Sequence, residues 1–354
     1  MAYTTIDNPS ETAFNTVLYT GNGSTQAVTG VGFQPDWVWI KGRDLSYNHA
    51  LFDVVRGTTK LLQSNTTNAE QTTSGVTAIG SDGFTLGSDV GMNESGGSFV
   101  SWNWKAGTSF TNDASSTGVG TIDSTASVNQ TAGFSIVSFT GNATAGATIA
   151  HGLGAVPSWI LLKDRDLAKN WNCYHKGIDS SPQNFTIRLN NTDAKLDTPA
   201  NGWNDTAPTS SVFSIGDGTQ VNTSGSNMIA YCFADVKGYS KVGGSYTGNL
   251  NANGTFVYTG FLPAFVMVKA ITSAPYWTII DNKRPAYNPT DEWLYANSSE
   301  AAFDASSYPV DFVSNGFKIR NVGSYFNSSG VTYIYMAFAE HPFVTSTGIP
   351  TTAR

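Results

Sequence analysis

Four tryptophans stand in turn-like stretches, three of them beside amide or carboxylate residues. Trp171 precedes Asn172, Trp203 precedes Asn204-Asp205 and Trp293 follows Asp291-Glu292, while Trp277 lies near a turn without such a neighbour. A flat indole face next to hydrogen-bonding side chains is the chemistry that receives a sugar ring. These four are therefore the candidate ligand-binding residues, against a simpler reading as sandwich-edge packing or a subunit contact. Trp37, Trp39, Trp102, Trp104 and Trp159 fall in repeated strands and read as core.

Acid–base chemistry has fewer footholds. Asp53, His175 and Asp281 align at the end of one apolar strand, where a polar residue anchors a loop more often than it moves a proton. Arg43-Asp44 recurs as Arg165-Asp166 and is replaced by Ile271-Thr272. An Arg–Asp turn contact explains it, worth no more than about 1 kcal/mol if exposed. Glycoside hydrolysis needs two carboxylates about 5 to 9.5 Å apart, and the 26 Asp and Glu residues form no recurring pair. No Gly-x-Ser-x-Gly elbow is present. His49, His151, His175 and His341 are isolated, without metal-ligand spacing. The nearest approach to a calcium loop, Asn288-Pro289-Thr290-Asp291-Glu292, reads as a solvated loop. The expectation is a protein that is not an enzyme, with no catalytic residue, no metal and no cofactor. Cys173 and Cys232 read as small buried hydrophobes, with a disulfide as the lesser reading.

The elements that would position these residues are written three times. Tyr19-Thr20-Gly21-Asn22, Phe139-Thr140-Gly141-Asn142 and Tyr246-Thr247-Gly248-Asn249 each open a unit. A proline and an apolar run ending in lysine follow, at Pro35–Lys41, Pro157–Lys163 and Pro263–Lys269. Each unit closes on an alternating stretch, at 99–106, 228–235 and 333–340. The proline runs are apolar on both faces and so predict central, sandwiched strands. Ser81-Asp82-Gly83-Phe84 and Ser314-Asn315-Gly316-Phe317 predict hairpins. The one weak helix candidate is 58–71. The expected fold is all-β, with three tandem antiparallel β-sandwich modules of jelly-roll topology. The boundaries are an arm at 1–16, module 1 at 17–107, a linker at 108–133, module 2 at 134–237, module 3 at 238–343 and a tail at 344–354.

Composition narrows the classes. Charged residues make up 13% of the chain, low for a soluble domain, while 40% hydrophobic content is ample for real cores. That excludes disorder. A net charge of -7 without a basic cluster argues against a nucleic-acid binder. No signal peptide and no membrane-length apolar run is visible, so no membrane insertion is expected. A Ser/Thr/Asn-rich protein of extracellular character without an export signal fits a virion component made in the host cytoplasm.

The segments Gly32–Lys41, Ser101–Gly107, Cys232–Lys241 and Met336–Glu340 resemble an uncharacterised repeated-domain family of bacteriophage structural proteins, frequent in phages of marine bacteria. The resemblance implies concanavalin-A-like sandwiches and brings no catalytic residues. It implies a virion structural protein and leaves the station on the particle open. A non-enzymatic tail fibre or adhesin component contacting the host surface is the first expectation, because fibres commonly repeat β-modules and vary their loops. A capsid decoration protein, a carbohydrate-binding module array and a virion-associated polysaccharide depolymerase are the alternatives. The implied partners are other virion proteins, copies of itself (a trimer foremost) and a host surface glycan.

Overall fold

The computed structural model describes residues 3–351; Met1 and Ala2 of the expected arm and residues 352–354 of the expected tail lie outside that range. The chain is all-β. Among the described residues, three large antiparallel sheets follow one another, and each uses the same strand order. In module 1 the order is Phe14–Thr20, Ser98–Trp104, Trp37–Gly42, Ala50–Asp53, Gly57–Leu62. Module 2 repeats it as Phe134–Thr140, Asn227–Phe233, Trp159–Asp164, Asn172–His175, Phe185–Arg188. Module 3 repeats it as Ser240–Thr247, Thr332–Pro342, Phe261–Ala270, Thr278–Asp281, Glu292–Tyr295. The opening, closing and proline segments of each repeat thus lie side by side. A small sheet backs each large one: Gln26–Thr29, Gly83–Leu86 and Val76–Gly80; Ala147–Ala150 with Val212–Ile215; and Phe256–Tyr258, Gly316–Ile319 and Val310–Val313.

Why the proline strands are apolar on both faces now has a physical answer. Successive side chains of a strand point to opposite faces. In module 1, Val38 and Ile40 pack with Phe84 and Leu86 of the small sheet. Trp37 and Trp39 point the other way, into a core shared with Tyr231 and Phe233 of module 2 and Phe265 and Phe338 of module 3. Rings meet across every junction: Trp37 with Tyr231 at 4.6 Å, Trp159 with Trp277 at 5.6 Å, and Trp102 with Phe265 at 5.7 Å. The three modules therefore close into a ring around one aromatic core. Each side chain buried there contributes about 1.5–3 kcal/mol, and each well-placed ring pair about 0.5–1.5 kcal/mol more.

Both predicted hairpins are present, at 76–86 and 310–319. Three expectations change. Residues 108–133 are not a linker: Thr108–Asn112 and Ser124–Asn129 extend the large sheet of module 2 beyond its opening strand. The helix candidate at 58–71 is strand Gly57–Leu62 followed by a turn, because Lys60 and Leu61 pair with Thr72 and Gln71. The arm is not separate either. Ile6 is buried in the shared core, Phe14 begins the first strand and stacks on Phe338 at 5.2 Å. Cys173 and Cys232 are free and buried, and burial pushes both thiols well up.

Candidate functional site

The residues that could do chemistry converge on the three module junctions, where aligned positions make the same contact in cyclic order. At the first such position, the aligned Asp53, His175 and Asp281 end the strand after the proline strand. Asp53 Oδ1 accepts the N–H groups of Val55 and Arg56 at 3.0 and 2.8 Å, while Oδ2 accepts Arg56 Nε at 2.5 Å. The remaining capacity of Oδ2 takes the Tyr231 hydroxyl of module 2 at 2.6 Å. Asp281 does the same: it anchors Lys283 and Arg284, pairs with Arg284 Nε at 2.7 Å, and accepts Trp102 Nε1 of module 1 at 3.0 Å. The loop-anchor reading of these acids holds, and the same carboxylates latch the neighbouring module.

His175 fills the position differently. Its aligned donor in module 3 is Met336, which has no N–H or O–H to give. Gly177 N–H donates to Nδ1 at 3.0 Å, so Nε2 carries the proton and donates to Tyr335 O of module 3 at 3.2 Å. Ile178 stands where the other modules have Arg56 and Arg284. The buried charge pair is thereby replaced as a whole by a neutral one.

A second cyclic contact uses ring N–H groups. His49 Nε2 donates to Tyr295 O at 2.9 Å, Trp171 Nε1 to Gln63 O at 2.8 Å, and Trp277 Nε1 to Arg188 O at 2.9 Å. Each bond reaches the preceding module around the ring. The His49 tautomer is set by Trp39 Nε1, which donates to Nδ1 at 2.7 Å. A third contact runs between backbones, from Ala302 to Arg43, Glu70 to Arg165 and Lys195 to Ile271, at 2.6, 2.7 and 2.9 Å. The lysines that end the proline strands are buried and surrounded by carbonyls. Lys163 reaches Thr67 O of module 1 at 3.3 Å and Lys269 reaches Thr192 O of module 2 at 2.9 Å. Lys41 stays within its own module, on Gly42 O and Leu45 O at 2.8 and 3.1 Å. Burial lowers all three ammonium groups to about 8, with Arg284 adding repulsion at Lys41.

The four sugar-binding candidates all lie inside the protein. Trp171 and Trp277 are junction donors, and Trp203 packs edge-on against Tyr174 at 5.8 Å. Trp293 meets Phe326 at 5.0 Å, and none of the four is more than 1% exposed. No face is left for a pyranose at any of them. The expected Arg–Asp turn contact is also absent. Asp44 and Asp166 accept backbone N–H groups of Ser98 and Asn227, whereas Arg165 makes a two-pronged pair with Glu70 of module 1 at 2.9 and 3.0 Å. Arg43 reaches Glu292 of module 3 at 3.3 Å.

Sequence reasoning missed one trio. Asn93, Asn222 and Asn327 each accept the backbone N–H of the opening asparagine, Asn22, Asn142 or Asn249, at 2.8 Å. Their side-chain amides bind two further carbonyls, such as Ser24 O and Gly87 O at 2.6 and 2.7 Å. This explains the glycine of the opening motif, since a Cβ on Gly21, Gly141 or Gly248 would lie 2.3 Å from a backbone oxygen. A recurring Asn-x-Ser-Gly at 93–96, 222–225 and 327–330 is the signal that could have found them.

Among the described residues, no group of three or more His, Cys, Asp or Glu side chains is placed to hold a metal ion. Open grooves flank the hairpin that extends module 2; one of about 540 Å³ is lined by Lys105, Ser109, Phe110, Asn129 and Gln130 among others. At the junctions, by contrast, His49, Asp53, Trp171, His175, Trp277 and Asp281 are all buried. One family profile runs the length of the ring, from residue 8 to residue 342. The chain belongs to that family, described as a domain of unknown function (DUF7483). The match starts beside the short helix Pro9–Thr12 and stops at Pro342, the last residue of the closing strand of module 3. The family's unit is thus the whole ring and not one repeat. No curated protein matches the chain.

Proposed function

We propose that this chain is a non-enzymatic structural protein of a bacteriophage particle, a rigid knob carried by the tail fibre or adhesin apparatus and presented to the host surface. We read each large sheet with its small partner as a sandwich of jelly-roll or concanavalin-A-like kind. One observation carries the functional reading: the repeated polar and aromatic side chains are used up in contacts inside the chain, either within a module or across the junctions. Loops and small-sheet faces are what remains to meet a partner, and surface loops tolerate variation.

The two ends of the described chain support attachment by one side. Ser346 N–H donates to Asp7 at 2.7 Å, Tyr3 OH donates to Gly260 O at 2.8 Å, and the Tyr3 and Phe343 rings lie 6.3 Å apart. The side where Tyr3, Asp7, Gly260, Phe343 and Ser346 meet is the one we read as facing the rest of the particle. The same feature favours the second reading, a knob on the capsid surface. Because the shared core is satisfied within one chain, oligomers with itself or with other virion proteins would use outer surfaces. Mass spectrometry of purified particles should find the chain, and electron cryomicroscopy with a labelled variant should place it on the tail. Its absence from particles refutes the reading, and label on the head selects the capsid alternative. Release of reducing ends from host polysaccharide by the pure protein would overturn the non-enzymatic part.

A further inference from the structure

The small sheet of module 3 has two edges that end differently. Along Val310–Val313 the chain covers itself: Thr290 N–H donates to Val310 O at 2.7 Å, and the Asn288 side chain bonds the Phe312 backbone both ways at 2.6 and 2.9 Å. The other edge is Phe256–Tyr258. Ile319 N–H donates to Thr255 O at 3.1 Å and Thr259 N–H to Asn315 O at 3.0 Å, with Val257 opposite Phe317 between them. The ladder bonds therefore fall at 255, 257 and 259, and the peptide groups of Phe256 and Tyr258 point away from the sheet. Among the described residues no strand or bridge pairs with them there.

The side chains at this edge are also out of keeping with the other modules. Aligning Val28–Phe84, Ile149–Phe213 and Val257–Phe317 puts Phe256 and Tyr258 where module 1 has Ala27 and Thr29 and module 2 has Thr148 and Ala150. Phe256 is 44% exposed and Tyr258 57%, although the Tyr258 hydroxyl lies 3.3 Å from that of Tyr3. Soluble proteins usually blunt an open edge with charge, proline or a covering loop. This one carries two aromatics.

Module 2 records what fits. On its equivalent edge the chain lays down its own segment, with Ile122 bridging Ile149 in parallel. Thr121 and Ile122 N–H donate to Thr148 O at 2.8 and 3.2 Å, and Thr148 N–H donates to Thr121 Oγ1 at 2.8 Å. Ile122 turns inward and joins the module 2 core. We propose that the open edge Phe256–Tyr258 is a strand-addition site for an extended segment of a partner protein, entering parallel with a threonine opposite Phe256 and an aliphatic residue opposite Val257. Main-chain bonds supply the affinity and the two aromatics flank the incoming side chains. The inference stands on the edge alone and does not depend on where the protein resides.

The test offers the chain's own edge-filling segment in trans. A synthetic peptide of residues 117–126 is added at millimolar concentration to the full-length protein, and hydrogen exchange is followed at single amides. The Phe256 and Tyr258 amides should slow by about tenfold, while Ala27 and Thr29 of module 1 keep their rates. A peptide carrying Ile122→Pro should have no effect. In the protein, Phe256→Pro removes an N–H that the ladder does not use, so the fold persists and the slowing at Tyr258 disappears. Should that variant unfold, Tyr258→Lys serves, read at Phe256. Unchanged rates at both amides overturn the proposal, as does equal slowing at Ala27 and Thr29.

Discussion

The junction between modules 2 and 3 and the two junctions that involve module 1 do the same job with opposite chemistry. At the module 1 junctions a buried carboxylate, held by the arginine three residues on, takes a hydrogen bond from Tyr231 or Trp102 across the ring. At the other, an imidazole with isoleucine in place of arginine gives a hydrogen bond to a backbone carbonyl. Acid and arginine, or imidazole and isoleucine, occur together; a buried carboxylate without its cation would be far more costly than either pair. The difference teaches that the geometry of the joint is the constant feature, and that its polarity is free to change provided both members change.

Breaking a charged pair should have the largest effect. Asp281→Ala leaves Arg284 buried without its partner, and is expected to cost about 3–5 kcal/mol in denaturant unfolding. His175→Ala removes a neutral anchor and should cost about 1–3 kcal/mol. If the two cost the same, the distinction between the junctions fails. Next comes Tyr231→Phe, which deletes only the hydroxyl bound to a carboxylate and should cost about 1.5–3 kcal/mol. The double change Asp281→His with Arg284→Ile transplants the neutral latch. It should cost less than Arg284→Ile alone, giving a clear coupling energy in a double-mutant cycle.

Acid should distinguish the junctions more gently. Burial lowers the His175 imidazole to about 4 and holds His49 well below its usual value of 6.5, helped by Lys41. Both grip module 3. Because the unfolded chain takes up these protons first, stability should fall as pH drops from about 6.5 towards 4, and His175→Asn should flatten that limb. The lysines give a slope of the same sign in a higher pH window. With folded values of about 8 against 10.5 unfolded, stability should rise as pH climbs through 8 and above. A urea series across pH measures both.

The repeats, the hairpins and the two-faced apolar strands were legible in the sequence because each depends on neighbours within one module. What covers the second face was not. Trp37 and Trp39 read as core, yet nothing local says that Tyr231 and Phe265 complete that core. Trp171 and Trp277 misled for the same reason. A tryptophan near a turn beside an amide looks like a ligand platform, until a neighbouring module lies over it. Their alignment with His49 was the available clue, since an imidazole and two indoles at one repeat position have a ring N–H in common. The hairpin at 108–129 was hidden by its Ser/Thr/Gly composition, which reads as loop but also suits a strand at the solvated end of a sheet.

Differential scanning calorimetry of the intact chain addresses the shared core most directly. A ring closed by one aromatic core should unfold in a single transition, with the calorimetric enthalpy equal to the van't Hoff enthalpy. Two or three resolved transitions, each with the enthalpy of one module, would contradict it.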